Sequence, residues 1–153
     1  ALFPMPVNLY GPRDDFSEER SHVVPALIRR FLEAKATAAE EVVVWGSGRA
    51  TRELLYVEDC ADAIVAMARS ATGVEPVNIG TGVETSIQEL AHSIATACDY
   101  TGRLVFDGTK PEGQPRKCLD VSEAQARFGW SAKVDLDEGL RRTVAWYRSQ
   151  QSS

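Results

Sequence analysis

His22 stands in the run SHVVPALIRRF, Ser21 to Phe31, directly before a stretch with helical apolar spacing. An imidazole at that place has two chemistries open to it. The ring titrates near neutral pH and can deliver a proton to a reacting atom. At a helix entrance, the backbone N–H groups and the helix dipole also favour an anionic ligand. A histidine that only caps or packs is the plainer reading of the same spacing. The basic residues are a second set: Arg29 and Arg30 follow His22, Arg49 and Arg52 follow VVVWGSG, and Lys110, Arg116 and Lys117 lie in a Pro/Gly-rich segment. In a chain of net charge -5 they either balance DDFSEE on the surface or converge on a diphosphate, with Trp45 or a neighbour beside a base. Arginine suits the second role, because its planar fork holds phosphate oxygens in pairs.

Other chemistries find less support. GSGRAT lacks a third glycine and opens no helix, and GTGVET lacks the third glycine and a following acidic strand end, so both read as turns rather than cofactor loops. No GxSxG string offers an acyl-transfer nucleophile. Asp14 and Asp15 sit in a charged loop and read as solvated. The three cysteines, Cys60, Cys98 and Cys118, are widely spaced, which fits reduced thiols in a cytoplasmic protein. With only His22 and His92 besides, no metal site is expected. The acidic balance argues against nucleic acid as a partner, and no apolar run reaches the roughly 18 residues of a membrane span.

The elements that must position these residues make a mixed α/β domain of 153 residues without repeats. LFPMPVNL reads as one short strand, with prolines that suggest an edge. A helix begins near Pro25 and lines up Val24, Leu27, Ile28, Phe31 and Leu32 on one face. VVVW, RELLYV, PVNI and RLVFD read as strands. CADAIVAMARS, capped by Asp59, is apolar nearly all round and should be well buried. Thr85 and Ser86 are capping-box candidates for a helix carrying Ile87, Leu90, Ala91, Ile94 and Ala95. GTKPEGQPRK reads as an irregular loop. Ser122 starts a short helix that Gly129 stops, and Asp135 or Asp137 caps a last one. The opening ALFPMPVNLYGP looks entered in mid-strand, whereas WYRSQQSS fades like a terminus.

Taken in order, NLYGP, SHVVPALIRRF, VVVWGSG, RELLYVED, VNIGTG, SIQELA, FDGTKPEGQPRK and LDVS closely resemble the GDP-L-fucose synthase family, bifunctional epimerase–reductases of the extended short-chain dehydrogenase/reductase superfamily. NLYGP and GTG are shared widely among sugar-nucleotide epimerases; SHVVPALIRRF and KPEGQPRK are far more specific. The resemblance runs from about Met5 to Tyr147 and implies the substrate-binding lobe of that fold, a single domain over 1–153 with a few strands of the Rossmann sheet. It implies that His22 protonates the sugar carbon during epimerisation and that Asn8 contacts substrate. Arg30, Trp45, Arg52 and Lys117 would hold the GDP portion, and Pro6, Val7 and Leu9 would lie along the nicotinamide of NADP.

Val7 stands where the family has threonine, and Leu54, Tyr56 and Glu58 depart from its REFLHVDD string. The family's Gly-rich cofactor loop, its YxxxK pair and the cysteine that partners the histidine are not in the chain, so the 153 residues alone are expected to bind no NADP and to be an incompetent reductase. Strand edges left without partners are expected to drive homodimerisation or to seat a separate N-terminal half. A structural or interaction protein with a vestigial pocket is the competing reading.

Overall fold

The structure is a computed structural model that describes residues 2–70, 75–110 and 113–151. In chain order it contains β1 (Phe3–Pro6), β2 (Asn8–Tyr10), α1 (Val23–Ala36), β3 (Glu41–Trp45), β4 (Thr51–Arg52), β5 (Leu54–Tyr56) and α2 (Val57–Ser70). There follow β6 (Pro76–Ile79), β7 (Thr85–Ser86), α3 (Ile87–Ala97), β8 (Arg103–Asp107), β9 (Arg116–Lys117), α4 (Ser122–Phe128) and α5 (Leu136–Gln151).

LFPMPVNL forms two strands, not one. β1 runs parallel to β6 with Met5 opposite Asn78, and β2 runs parallel to β5 with Asn8 opposite Leu54. The change of partner falls at Val7. Pro6 has no N–H to give a ladder, so Val7 N donates to Ile79 O at 2.9 Å while its side chain enters a cluster with Leu55, Cys60, Val77 and Ile79. β3 pairs in parallel with β8. β4 lies between antiparallel β7 and parallel β9, with Arg52 opposite both Thr85 and Lys117. The Pro/Gly segment is thus less irregular than expected. Once past Pro115 every residue has an N–H, and Glu53 N donates to Lys117 O. Pro111 and Glu112 of that segment lie outside the described residues, as does Ala1.

Helix α1 starts at Val23, two residues before Pro25, whose missing N–H falls in the first turn where it would be unpaired anyway. Its face of Val24, Leu27, Ile28 and Phe31 packs with Leu90, Ala91 and Ile94 of α3 and Leu140 and Val144 of α5. α3 begins with a capping box: Ser86 Oγ accepts from Glu89 N, and the Glu89 carboxylate accepts from Ser86 N. Asp135 caps α5 by accepting from Glu138 N at 2.8 Å, and Gly129 ends α4 in a left-handed conformation.

Two expectations about α2 fail. Asp59 lies in its first turn rather than before it, and its buried carboxylate accepts from Lys133 N and Val134 N, tying the helix to the segment ahead of α5. The helix is not buried all round: Cys60, Ala63 and Met67 face the core, but Ile64 and Val65 are exposed. Phe3 and Met5 of β1 are also exposed, and β1 pairs only with β6 among the described residues. The three cysteines are free; burial raises the thiol pKa of Cys60 and pushes that of Cys98 up to about 12. No described helix is long and apolar enough to cross a membrane, and no group of metal-binding side chains occurs among the described residues.

Candidate functional site

Where β2 ends, a cavity of about 510 Å³ opens between the 8–14 segment, the start of α1 and the β4–β5 stretch. Asn8, Leu9, Asp14, His22, Arg52 and Leu54 line it. The chain leaves β2 through Gly11, at φ +150°, where an added Cβ would press into the Val57 side chain. This lets the loop turn over the cavity mouth. The loop is self-braced: Asp15 accepts from Ser17 N and pairs with Arg20, and Phe16 stacks on Tyr147 of α5 with ring centroids 4.1 Å apart. Asp14 is half-buried on the cavity wall, which corrects the expectation that both carboxylates of the loop are solvated.

His22 occupies the N-cap position of α1, yet its side chain makes no capping hydrogen bond. The imidazole is exposed and lines the cavity. Asn8 faces the same space with both ends of its amide engaged, donating to Glu53 O at 3.0 Å and accepting from Lys117 Nζ at 3.3 Å. Arg52 and Lys117 are register partners on adjacent parallel strands, so their side chains leave the same face. Arg52 Nη1 donates to Thr51 O and Gln114 O, which fixes that edge of its guanidinium against the 113–115 segment and leaves Nη2 and Nε to face the cleft. Three separated stretches thus meet at one cleft.

Lys117, Trp45 and Arg30 are not on the wall of this cavity; Lys117 meets it through Asn8. Trp45, 62% exposed, lines an adjoining hollow of about 170 Å³ with Gly46, Gly48, Ala50 and Gly113, and Arg52 lines both spaces. Lys110 Nζ lies 5.9 Å from the Trp45 ring centre. Arg30 is not on the wall of either space. Its guanidinium donates to Val43 O at 2.6 Å and so satisfies a carbonyl on β3. Arg29 pairs with Glu33 and Arg116 with Glu84, as surface charges do. The Arg116 and Thr51 hydrogen bonds hold the Glu84 carboxyl below its ordinary pKa.

Of the segment nominated for the nicotinamide, Pro6 is exposed, Val7 is buried with its N–H used, and Leu9 lines the main cavity. Of the three, only Leu9 presents an apolar side chain to the cavity. The GTG turn offers a cofactor's phosphates nothing, since Thr81 N and Gly82 N both donate to Glu53 Oε1. Sequence reasoning missed Glu53, which is 0% exposed, and the cavity lining by Tyr10, Gly11 and Val57. The available signal was weak: Glu53 stands between Arg52 and the apolar run LLYV, where a charge reads as part of a polar strand end.

A mixed α/β frame with a polar cleft at the end of short parallel strands defines a class. Residues 1–80 match the model of the NAD dependent epimerase/dehydratase family, and the chain belongs to that family. The particular likeness is to GDP-L-fucose synthase. The chain is 52% identical over 147 residues, 96% of its length, to "GDP-L-fucose synthase 1" of Arabidopsis thaliana, of which it covers 45%. It superimposes on a GDP-L-fucose synthetase from Naegleria fowleri with a TM-score of 0.93 at 28% identity, covering 99% of this chain and 47% of that one. A structure of the Naegleria fowleri synthetase bound to NADP matches with a TM-score of 0.90 at 29% identity, over 97% of this chain and 46% of that one. The chain spans less than half the length of these relatives.

Proposed function

We propose that this chain is the nucleotide-sugar-binding lobe of a GDP-L-fucose-synthase-like epimerase–reductase and that it grips a GDP-sugar in the cleft between β2, α1 and β4. The observation that carries this reading is the meeting of Asn8, His22 and Arg52 on one cavity wall with Lys117 held at Asn8. Arg52 and Lys117 take the diphosphate by charge-assisted hydrogen bonds. Trp45, in the adjoining hollow, lies beside the base, and Asn8 takes a sugar hydroxyl. His22, exposed at the cavity and without a capping bond, delivers a proton to the sugar ring carbon in epimerisation. The cofactor, when bound, supplies the hydride of the reductive step. Pro6, Val7 and Leu9 would bound its nicotinamide.

Neither a YxxxK string nor a complete GxGxxG occurs in the 153 residues, so on this reading they bind the GDP-sugar without reducing it. We assign the edge of β1 that has no partner strand among the described residues, with Phe3 and Met5 exposed beside it, to a second copy of the chain or to a partner that supplies those groups. Light scattering at micromolar concentration is expected to give the mass of a dimer. A monomer would remove the second copy from this assignment.

Calorimetric titration with GDP-mannose tests the cleft. Wild type is expected to bind in the micromolar to millimolar range, after the ordering and desolvation costs of binding. Arg52→Ala and Lys117→Ala each remove a contact worth roughly 1.5–3 kcal/mol and weaken binding by about tenfold or more. Binding that neither substitution disturbs would mean that the cleft is vestigial, as in an interaction protein built on the same fold.

A further inference from the structure

We infer that Glu53 is a positioning residue for this cleft, setting Lys117 and Asn8 against Arg52; the inference rests on the nucleotide-sugar reading above. Successive side chains of an extended segment point to opposite sides, so Arg52 faces the cleft and Glu53 turns inward, where it is fully buried. A carboxylate in that position is costly unless its oxygens are satisfied. Here backbone amides do so: Oε1 accepts from Thr81 N at 2.7 Å and Gly82 N at 2.8 Å, and Oε2 accepts from Leu119 N at 2.7 Å. No described cation pairs with it. The main chain of the same residue completes the junction. Glu53 N donates to Lys117 O at 3.1 Å, and Glu53 O accepts from Asn8 Nδ2 at 3.0 Å.

One residue therefore joins β2, the 80–82 turn and the strand that carries Lys117. A buried charge satisfied by amides from several segments fixes their spacing more tightly than apolar packing, because each amide loses its only partner if a segment slides. In Glu53→Gln, one end of the side chain becomes an NH2 group that must face an N–H donor. The 117–119 segment or the 80–82 turn then loses its anchor, and the Lys117 ammonium loses its fixed place beside Asn8.

Cys118, between Lys117 and Leu119, reports this without any ligand. Its thiol donates to Leu119 O at 3.8 Å and its pKa is raised, first by burial and then by the Glu53 carboxylate, while Cys60 and Cys98 lie buried as internal controls. The experiment measures the limiting modification rate of each fully ionised thiol by a disulfide reagent across a pH series, so that a change in thiol pKa alone does not count, and GDP-mannose affinity, for wild type, Glu53→Gln and Glu53→Asp. The expected result is a tenfold or greater acceleration at Cys118 alone in Glu53→Gln, a smaller one in Glu53→Asp, and GDP-mannose affinity lower by about tenfold in Glu53→Gln. An unchanged Cys118 rate, or all three thiols rising together as in general destabilisation, would overturn the inference. So would a faster Cys118 with wild-type affinity. If wild type itself binds no GDP-mannose, the nucleotide-sugar reading fails separately, and the thiol rates still decide whether Glu53 sets the place of Lys117.

Discussion

Phe31→Ala is expected to destabilise the chain by about 3–5 kcal/mol, the usual cost of emptying a buried aromatic site. Phe31 is 0% exposed and lies in the cluster where α1, α3 and α5 meet. Its ring is 5.4 Å, centroid to centroid, from that of Tyr100, whose hydroxyl donates to Ala39 O, so the site cannot collapse without disturbing the turn before β3. Because α1 begins at the cavity, its loosening also displaces His22. Urea unfolding followed by circular dichroism measures the loss. A change below about 1 kcal/mol would mean that α1 is not seated as described.

Gly80→Ala is the second large effect, expected at about 3 kcal/mol or more. An added Cβ would overlap Glu53 Oε1 outright and stand 3.0 Å from Glu53 Cδ and 3.2 Å from Val121 Cγ1. The carboxylate cannot swing aside, because Thr81 N, Gly82 N and Leu119 N are all aimed at it. Gly108→Ala is the control: nothing lies within 4 Å of its Cβ, so its thermal midpoint should stay near that of wild type. Equal midpoints for the two variants would show that the 80–82 turn does not press on Glu53.

Legibility in the sequence followed the range of the interaction. The faces of α1 and α3, the Ser86–Glu89 box and the Gly129 stop are local patterns, and the structure has them. The long-range pairings were harder. That Arg116–Lys117 would form a strand on β4 depended on a partner more than sixty residues away, hidden behind prolines and glycines. The partial exposure of α2 was misread because its Ile64 and Val65 are as apolar as core residues, and periodicity says nothing of whether a neighbour covers them. At the site, Arg52 and Lys117 were legible as loop cations; the cleft that gathers Arg52 with Asn8 and His22 was nominated through resemblance. Arg30, nominated through the same resemblance, lines neither space and donates to Val43 O, a contact that depends on how α1 packs against β3. Glu53 was missed because it binds only amides, which leave no mark in the side-chain pattern.

The stacking of Phe16 on Tyr147 ties the opening loop of the chain to its final helix. The cavity's outer rim is therefore anchored by a helix distant from it in sequence. Until α5 has left the ribosome and packed, the rim that carries Arg13 and Asp14 has no seat. Trimming the last turns of α5 would act on that rim from a distance, with every cleft side chain left chemically intact.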